Sequence, residues 1–152
     1  VGIGRADLVV GSGRPPLGSR DKHPVRPNLL ERHRAEVDDH IRQTIERYVA
    51  FMNAGDADSI AALYAEDATL EDPIGTHPIR GREKIRAFYA AAAGAVRLEL
   101  TGNPRVAAGE AAFPMRANLG PDHAIEIIDV MAFDDDGLIR GMRAFWSADA
   151  AV

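Results

Sequence analysis

The chain has 152 residues, of which 46% are hydrophobic, and its formal net charge at pH 7 is −5. These values are typical of one domain with an ordinary apolar core, and no apolar stretch approaches the length of a membrane span. Cysteine is absent, which excludes disulfides and thiolate chemistry. No secretory signal is visible in the sequence, so a cytoplasmic protein is the default expectation.

The charge is divided unevenly between the start and the rest of the chain. Residues 1–34 carry seven Lys or Arg and three Asp or Glu, whereas residues 35–152 carry 11 and 20. The first 30 residues also hold four of the nine prolines and five of the 14 glycines, a composition that sustains no regular element. We therefore expect a flexible leader over 1–34 and a single domain over 35–152. The acidic domain argues against a nucleic-acid partner.

The domain opens with a helical pattern that becomes regular near Ala35. Apolar residues at positions i, i+4, i+7, i+8 and i+11 predict an amphipathic helix that ends near Gly55. Its buried stripe is predicted to contain Ile41, Ile45, Tyr48, Val49 and Met52. Tyr48 differs from the others, because its hydroxyl needs a hydrogen-bond partner once the ring is buried. A core tyrosine with a satisfied hydroxyl is the structural alternative to a functional role.

Two further helices are predicted in the first half. One is short and is capped by Asp56 or Asp58. The other begins after Gly81 and is stopped by Gly94. The short helix is predicted to bury Ile60, Leu63 and Tyr64. The helix after Gly81 is predicted to bury Ile85, Phe88 and Tyr89.

Between these two helices lies a brief extended segment, residues 68–72. It halts at Pro73, because the residue before a proline is pushed out of helical geometry. Asp72 therefore lies where a short strand would open onto the mouth of a pocket. A turn-initiating aspartate before proline is the structural alternative for this residue.

The second half of the chain has the alternation of β-strands. Four strands are predicted, near 96–100, 111–119, 124–133 and 138–147, with a hairpin turn at 134–137. Three helices followed by a strongly curved sheet, mixed or antiparallel, make an α+β fold in which the helices cover one face of the sheet. An incompletely filled cone between the helices and the sheet would form a pocket.

Asp129 is the most informative residue in these strands. Side chains alternate between the two faces of a strand, so Asp129 shares its face with Ile125, Ile127, Met131 and Phe133 and is the only polar member. An isolated carboxylate on an apolar face is costly, so this group should find a partner or stay protonated. A protonated acid can donate a hydrogen bond. The alternative is a structural pairing with an arginine at a sheet edge or a dimer interface.

Other kinds of chemistry find little support. His33 and His40 lack further metal ligands at a suitable spacing, and residues 134–136 lack the spacing of a calcium loop. No serine or cysteine lies in the setting of an activated nucleophile. We therefore predict neither a metal site nor a cofactor.

From about Arg42 to Ser147 the chain resembles the ketosteroid isomerases, within the larger family of cone-shaped α+β domains related to nuclear transport factor 2. The resemblance is carried by Tyr48 with Gly55-Asp56, and by the segments 63–75, 78–89, 127–131 and 144–147. The Glu-Asp-Pro-x-Gly sequence within 63–75 recurs in relatives with other activities. Its combination with Tyr48 and Asp129 is much narrower.

The resemblance implies a role for each site residue. Asp72 matches the general base, and Tyr48 and Asp129 match the two donors of the oxyanion hole. A protonated aspartic acid is a known feature of the ketosteroid isomerases, so that state is carried over with the family. Tyr64 and Tyr89 match supporting tyrosines that would hydrogen-bond with Tyr48. The positions that match the lining of the steroid cavity are Phe88, Met115, Met142 and Trp146, each of which could equally be plain core.

The resemblance also implies the reaction and the partners. The substrate would be a small hydrophobic 3-oxo-Δ5-steroid, isomerised to the Δ4 form by proton transfer from C4 to C6 without a cofactor. The protein would be a homodimer packed through its sheets. Two alternatives on the same fold are a polyketide cyclase-like enzyme and a non-catalytic module for ligand binding or dimerisation. The presence of both Tyr48 and Asp129 favours the isomerase.

Overall fold

The computed structural model describes residues 26–92 and 94–147, so most of the predicted leader lies outside the described residues. The helices are α1 (Leu29–Ala54), α2 (Ala57–Ala61) and α3 (Arg82–Ala92). The strands are β1 (Tyr64–Glu71), β2 (Ile79–Arg80), β3 (Arg97–Leu100), β4 (Arg105–Ala107), β5 (Glu110–Asn118), β6 (Ala124–Phe133) and β7 (Ile139–Phe145).

All seven strands belong to one sheet with the order β2-β1-β7-β6-β5-β3, and β4 pairs with β5 beside this path. The sheet is mixed, because β1 runs parallel to β7 while the other pairs are antiparallel. Register shifts interrupt the β1–β7 and β6–β7 pairs, and such irregularities bend and twist a sheet. The predicted α+β class is confirmed.

The core lies between the helices and one face of this sheet. Ile41 and Ile45 of α1 and Ile85 of α3 meet Phe113 of β5 and Met131 of β6, and all five side chains are buried. The predicted stripe of α1 therefore faces the sheet as expected. The cavity described below is lined by residues of α1 and α3 and of this sheet.

Helix α1 begins earlier than the apolar pattern indicated. Asn28 and Glu31 form a capping box, with Glu31 N donating to Asn28 Oδ1 at 2.9 Å and Asn28 N donating to Glu31 Oε2 at 2.8 Å. The pattern missed this start because residues 29–37 are exposed and so carry no buried stripe. The helix ends as predicted, since Gly55 adopts a left-handed φ of 70°. Within the described ranges, no helix has the length and apolar character needed to cross a membrane.

The second helix is shorter than predicted, and this is a correction. It ends at Ala61, and Tyr64 is the first residue of β1. The reason is tertiary pairing: Leu63 O accepts a hydrogen bond from Ile139 N at 2.8 Å, which draws the chain into the sheet. Strands β2 and β4 were also missed, because segments of two and three residues are too short for alternation to be visible.

Candidate active site

A cavity of about 310 Å³ lies between the helices and the sheet. Its walls come from α1, α3, β3, β5, β6 and β7 and from the segments that follow β1 and β7. Most of the lining is apolar, which suits a hydrophobic ligand. The side chains with polar atoms in this lining are Tyr48, Asp72, Tyr89, Asp129 and Trp146.

Asp129 lies on the inward face of β6 and is only 1% exposed. Among the described residues, neither of its carboxyl oxygens has a hydrogen-bond partner, so the alternative of a structural arginine pair is not met there. Burial raises the pKa of Asp129 well above its ordinary value, and the nearby Asp72 raises it further. A carboxyl group in this setting is neutral up to a higher pH than an exposed one, and in its neutral form it can donate a hydrogen bond.

Tyr48 reaches the same cavity from α1 and is 3% exposed. Its ring lies edge-on to the ring of Tyr89, with the centroids 5.9 Å apart and the planes at 70°. Burial is the main cause that raises the pKa of Tyr48, and the neighbouring Asp129 carboxyl group would raise it further whenever that group is ionised. The phenol therefore stays protonated and, like Asp129, is a buried donor.

Tyr64 and Tyr89 form a pair behind this donor. Their hydroxyl oxygens are 2.7 Å apart, and both rings are buried. Tyr89 also lines the cavity, whereas Tyr64 does not. The resemblance implied that both tyrosines would hydrogen-bond with Tyr48, and that role stays a prediction. In the structure Tyr64 bonds to Tyr89, and the ring of Tyr89 packs against that of Tyr48.

Asp72 directly follows β1 and lies at the edge of the cavity. The parallel pairing of Glu71 with Arg143 brings it beside the end of β7, where Trp146 Nε1 donates a hydrogen bond to Asp72 Oδ1 at 2.6 Å. Burial raises the pKa of Asp72, and the hydrogen bond from Trp146 opposes that rise. In the structure this carboxyl is half-buried.

Three of the four predicted substrate-binding residues line the cavity, namely Phe88, Met115 and Trp146. Met142 does not. It is 1% exposed, lies opposite Met131 in the sheet, and belongs to the hydrophobic core. Further lining residues that sequence reasoning did not select include Met52, Val96, Leu98, Ala117, Leu119, Ile125 and Ile127.

Alternation could have identified part of this missed set. Ala117 and Leu119 continue the face of β5 that carries Met115, and Ile125 and Ile127 share the face of β6 that carries Asp129. No group of three His, Cys, Asp or Glu side chains suited to a metal ion occurs in the part of the chain that the structure describes.

The chain is similar to several known proteins. A family model described as a SnoaL-like domain matches residues 45–142. A steroid Delta-isomerase of Nocardioides simplex is 47% identical over 111 residues, which cover 70% of this chain and 89% of that protein. The epoxide hydrolase LasB of Streptomyces lasalocidi is 31% identical over 118 residues, which cover 68% of this chain and 42% of LasB.

A solved structure has the same fold. It is that of SalBIII, an epoxide hydrolase/cyclase-like enzyme with a role in pyran ring formation in the polyether salinomycin. The TM-score is 0.68 and the sequence identity 27%, over 75% of this chain and 95% of SalBIII. The family match and the 47% identity confirm the resemblance inferred from the sequence. The chain therefore belongs to the family of SnoaL-like domains and, within it, to the branch that contains the steroid Delta-isomerases.

Proposed function

We propose that this protein is a steroid Delta-isomerase that converts 3-oxo-Δ5-steroids into their conjugated 3-oxo-Δ4 isomers, with Tyr48, Asp72 and Asp129 as its catalytic residues. One observation carries the proposal. The carboxyl group of Asp129 is buried without a partner among the described residues, and it lines the same cavity as a second, less buried carboxyl group and a buried phenol. The 47% identity to an isomerase supports the reaction class.

Asp72 starts the reaction as the general base. Its carboxylate takes a proton from C4 of the steroid, and the electrons of that C–H bond move toward the C3 oxygen to give a dienolate. This role needs an ionised carboxylate within reach of the ring. The hydrogen bond from Trp146 stabilises that ionised form against the effect of burial.

Tyr48 and neutral Asp129 then stabilise the negative charge that develops on the C3 oxygen. Donors fixed in a site from which water is excluded stabilise such a charge strongly, because they need no reorganisation during the reaction. Asp129 suits this role, since neither of its oxygens is bound to another described group of the protein. Tyr89, packed against Tyr48 and hydrogen-bonded to Tyr64, would hold the phenol in place.

The carboxyl group of Asp72 also completes the reaction. Protonated Asp72 returns its proton to C6, the double bond settles between C4 and C5, and the enzyme is restored. One proton changes position and no electrons are gained or lost overall, so the proposed reaction consumes no co-substrate. The apolar walls, including Phe88, Met115 and Ile127, would hold the fused rings and exclude water.

A cytoplasmic location stays a prediction.

We further propose that the protein is a homodimer packed through the outer face of its sheet. Ile128 and Phe145 are neighbours in the β6–β7 register and are 46% and 39% exposed. An exposed apolar pair on a sheet face suits a protein interface. Light scattering of Ile128→Asp should report a monomer where the wild type is a dimer; a monomeric wild type would reject the proposal.

The isomerase proposal is tested by a direct assay. Purified protein is mixed with 5-androstene-3,17-dione, and the conjugated enone is followed by its ultraviolet absorbance. We expect turnover without any added cofactor. An inactive protein with a cooperative unfolding transition would reject the proposal and favour the non-catalytic alternative.

A second candidate function is the opening of an epoxide by the same acid and base. It is favoured by the similarity to LasB and SalBIII, although both are less similar in sequence than the isomerase. Asp129 would protonate the epoxide oxygen while Asp72 removes a proton from the attacking hydroxyl. Conversion of a hydroxy-epoxide to a cyclic ether, with no conversion of the steroid ketone, would favour this candidate over the isomerase.

A further inference from the structure

Strand β3 forms one edge of the sheet. Among the described strands it pairs with β5 alone, and Leu98 lies opposite Ala117 in that antiparallel pair. In such a pair, successive residues direct their backbone N–H and C=O groups alternately toward and away from the neighbouring strand. An edge residue whose groups point away has no ladder partner and needs another one.

Asn53 supplies both missing partners of Leu98. Its Oδ1 accepts a hydrogen bond from Leu98 N at 2.7 Å, and its Nδ2 donates to Leu98 O at 2.9 Å. A side-chain amide offers one acceptor and one donor side by side, so Asn53 acts on β3 as a peptide group of a neighbouring strand would. The two residues are 45 positions apart in the sequence.

This contact joins two walls of the cavity. On α1, Asn53 directly follows Met52 and lies five residues after Tyr48. Met52 and Tyr48 both line the cavity. On the other side, Leu98 is buried and lines the cavity together with Val96. The two hydrogen bonds therefore span from the helix that carries an oxyanion donor to the apolar wall of β3.

We propose that Asn53 is a positioning residue that fixes the gap between α1 and β3, and thereby the fit of the steroid rings against Tyr48. The inference rests on the proposed function. A misplacement of about 1 Å can cost on the order of a hundredfold in rate, so a wall that relaxes outward weakens ring binding and misaligns the C3 oxygen. Asn53 itself touches no reacting atom.

Two substitutions separate the two hydrogen bonds. Asn53→Leu removes both bonds at similar side-chain size, whereas Asn53→Asp keeps an acceptor for Leu98 N and sets a carboxylate oxygen against Leu98 O. The matched control is Asn118→Ala. It removes the contact of Asn118 Nδ2 on β5 with the backbone oxygen of Arg97, the residue before Leu98 on β3, at 3.5 Å. Asn118 does not line the cavity.

The readouts are steady-state kinetics with 5-androstene-3,17-dione and hydrogen exchange of the Leu98 amide. For Asn53→Leu we expect KM to rise roughly fivefold or more, the effect of losing about one net hydrogen bond, with a smaller fall in kcat and faster exchange at Leu98. Asn53→Asp should raise KM but keep the Leu98 amide protected. Asn118→Ala should keep the wild-type KM.

Two results would overturn the inference. One is a KM of Asn53→Leu within twofold of the wild type, which together with a lowered Tm would indicate a purely structural bond. The other is an equal change of KM in the Asn118→Ala control. If Asn53→Leu fails to fold, the KM and exchange of Asn53→Asp decide. A wild type without turnover would reject the proposed function instead. Unchanged hydrogen exchange of the Leu98 amide in Asn53→Leu would then reject the inference that Asn53 fixes β3 to α1.

Discussion

The indole Nε1 of Trp146 donates a hydrogen bond to Oδ1 of Asp72 at 2.6 Å, across 74 positions of sequence. The contact exists because β1 and β7 run parallel, so that the segments after both strands emerge at the same edge of the sheet. It opposes the rise in the pKa of Asp72 that burial causes. Trp146 is thus placed to keep the proposed base charged, in addition to lining the cavity.

Trp146→Phe should move the acid limb of the kcat/KM profile to higher pH. The substitution keeps an aromatic wall but removes the N–H donor that stabilises the carboxylate, so the pKa of Asp72 rises and more alkaline conditions are needed to ionise it. The measurement is kcat/KM across the pH range for both proteins. An acid limb that stays in place would show that the indole does not influence the base.

Asp72→Asn should lose activity by at least the roughly 10²–10⁴-fold that a positioned general base contributes. The amide keeps the size of the side chain, so the Tm should stay close to that of the wild type. Single-turnover kinetics with the Δ5-ketone would separate slow chemistry from weak binding. A variant with near-normal turnover would remove Asp72 from the role of base.

Asp129→Leu should fold well and catalyse poorly. Loss of one donor to a developing oxyanion costs about 10²–10³-fold in kcat. Asp129→Asn is the informative comparison, since it retains an N–H donor at similar size and should lose less activity than the leucine variant. Equal kcat for Asp129→Leu and the wild type would argue that Tyr48 alone stabilises the charge.

The stability advantage of Asp129→Leu should depend on pH. The pKa of Asp129 in the folded protein is raised well above the ordinary value of 3.8, so the folded state holds a proton that the unfolded state has released. Between these two pKa values, each pH unit lowers the wild type's free energy of unfolding by about 1.4 kcal/mol through this group. Urea denaturation at pH 4.5 and pH 7 should show the gap between variant and wild type widening with pH; a constant gap would contradict the raised pKa.

Substitution of Tyr48 should lower kcat more than substitution of Tyr64. Tyr48→Phe removes a proposed donor and should reduce kcat by about 10²–10³-fold. Tyr64→Phe removes the hydrogen bond to Tyr89 and should reduce kcat by roughly tenfold or less, the scale of one net hydrogen bond. Both variants keep the buried ring, so both should unfold cooperatively. A larger loss in Tyr64→Phe than in Tyr48→Phe would reverse the proposed order.

Local pattern was enough to predict the long elements and the place of Asp129. Alternation along β6 put the carboxyl on the core face, and helical spacing put Tyr48 on the buried stripe of α1. Both signals come from the repeat of a single element, which the sequence displays directly. The end of α1 at Gly55 was equally visible, because glycine favours the left-handed cap.

Features that depend on pairing between distant segments were not predictable in this way. Tyr64 follows a helix in sequence, yet the bond from Ile139 N to Leu63 O draws it into the sheet. The indole partner of Asp72 depends on a parallel pairing that no local pattern encodes. Met142 shares a face with Ala144, and only the depth of the cavity decides that one lines it and the other does not.

The unpartnered carboxyl of Asp129 has a consequence for any laboratory evolution of this protein. A library sorted for thermal tolerance or expression alone should replace the residue by an aliphatic side chain, since a buried polar group without a partner lowers stability. The most thermally stable variants from such a selection should therefore often be inactive. Selection for robustness in this fold therefore needs a simultaneous screen for turnover.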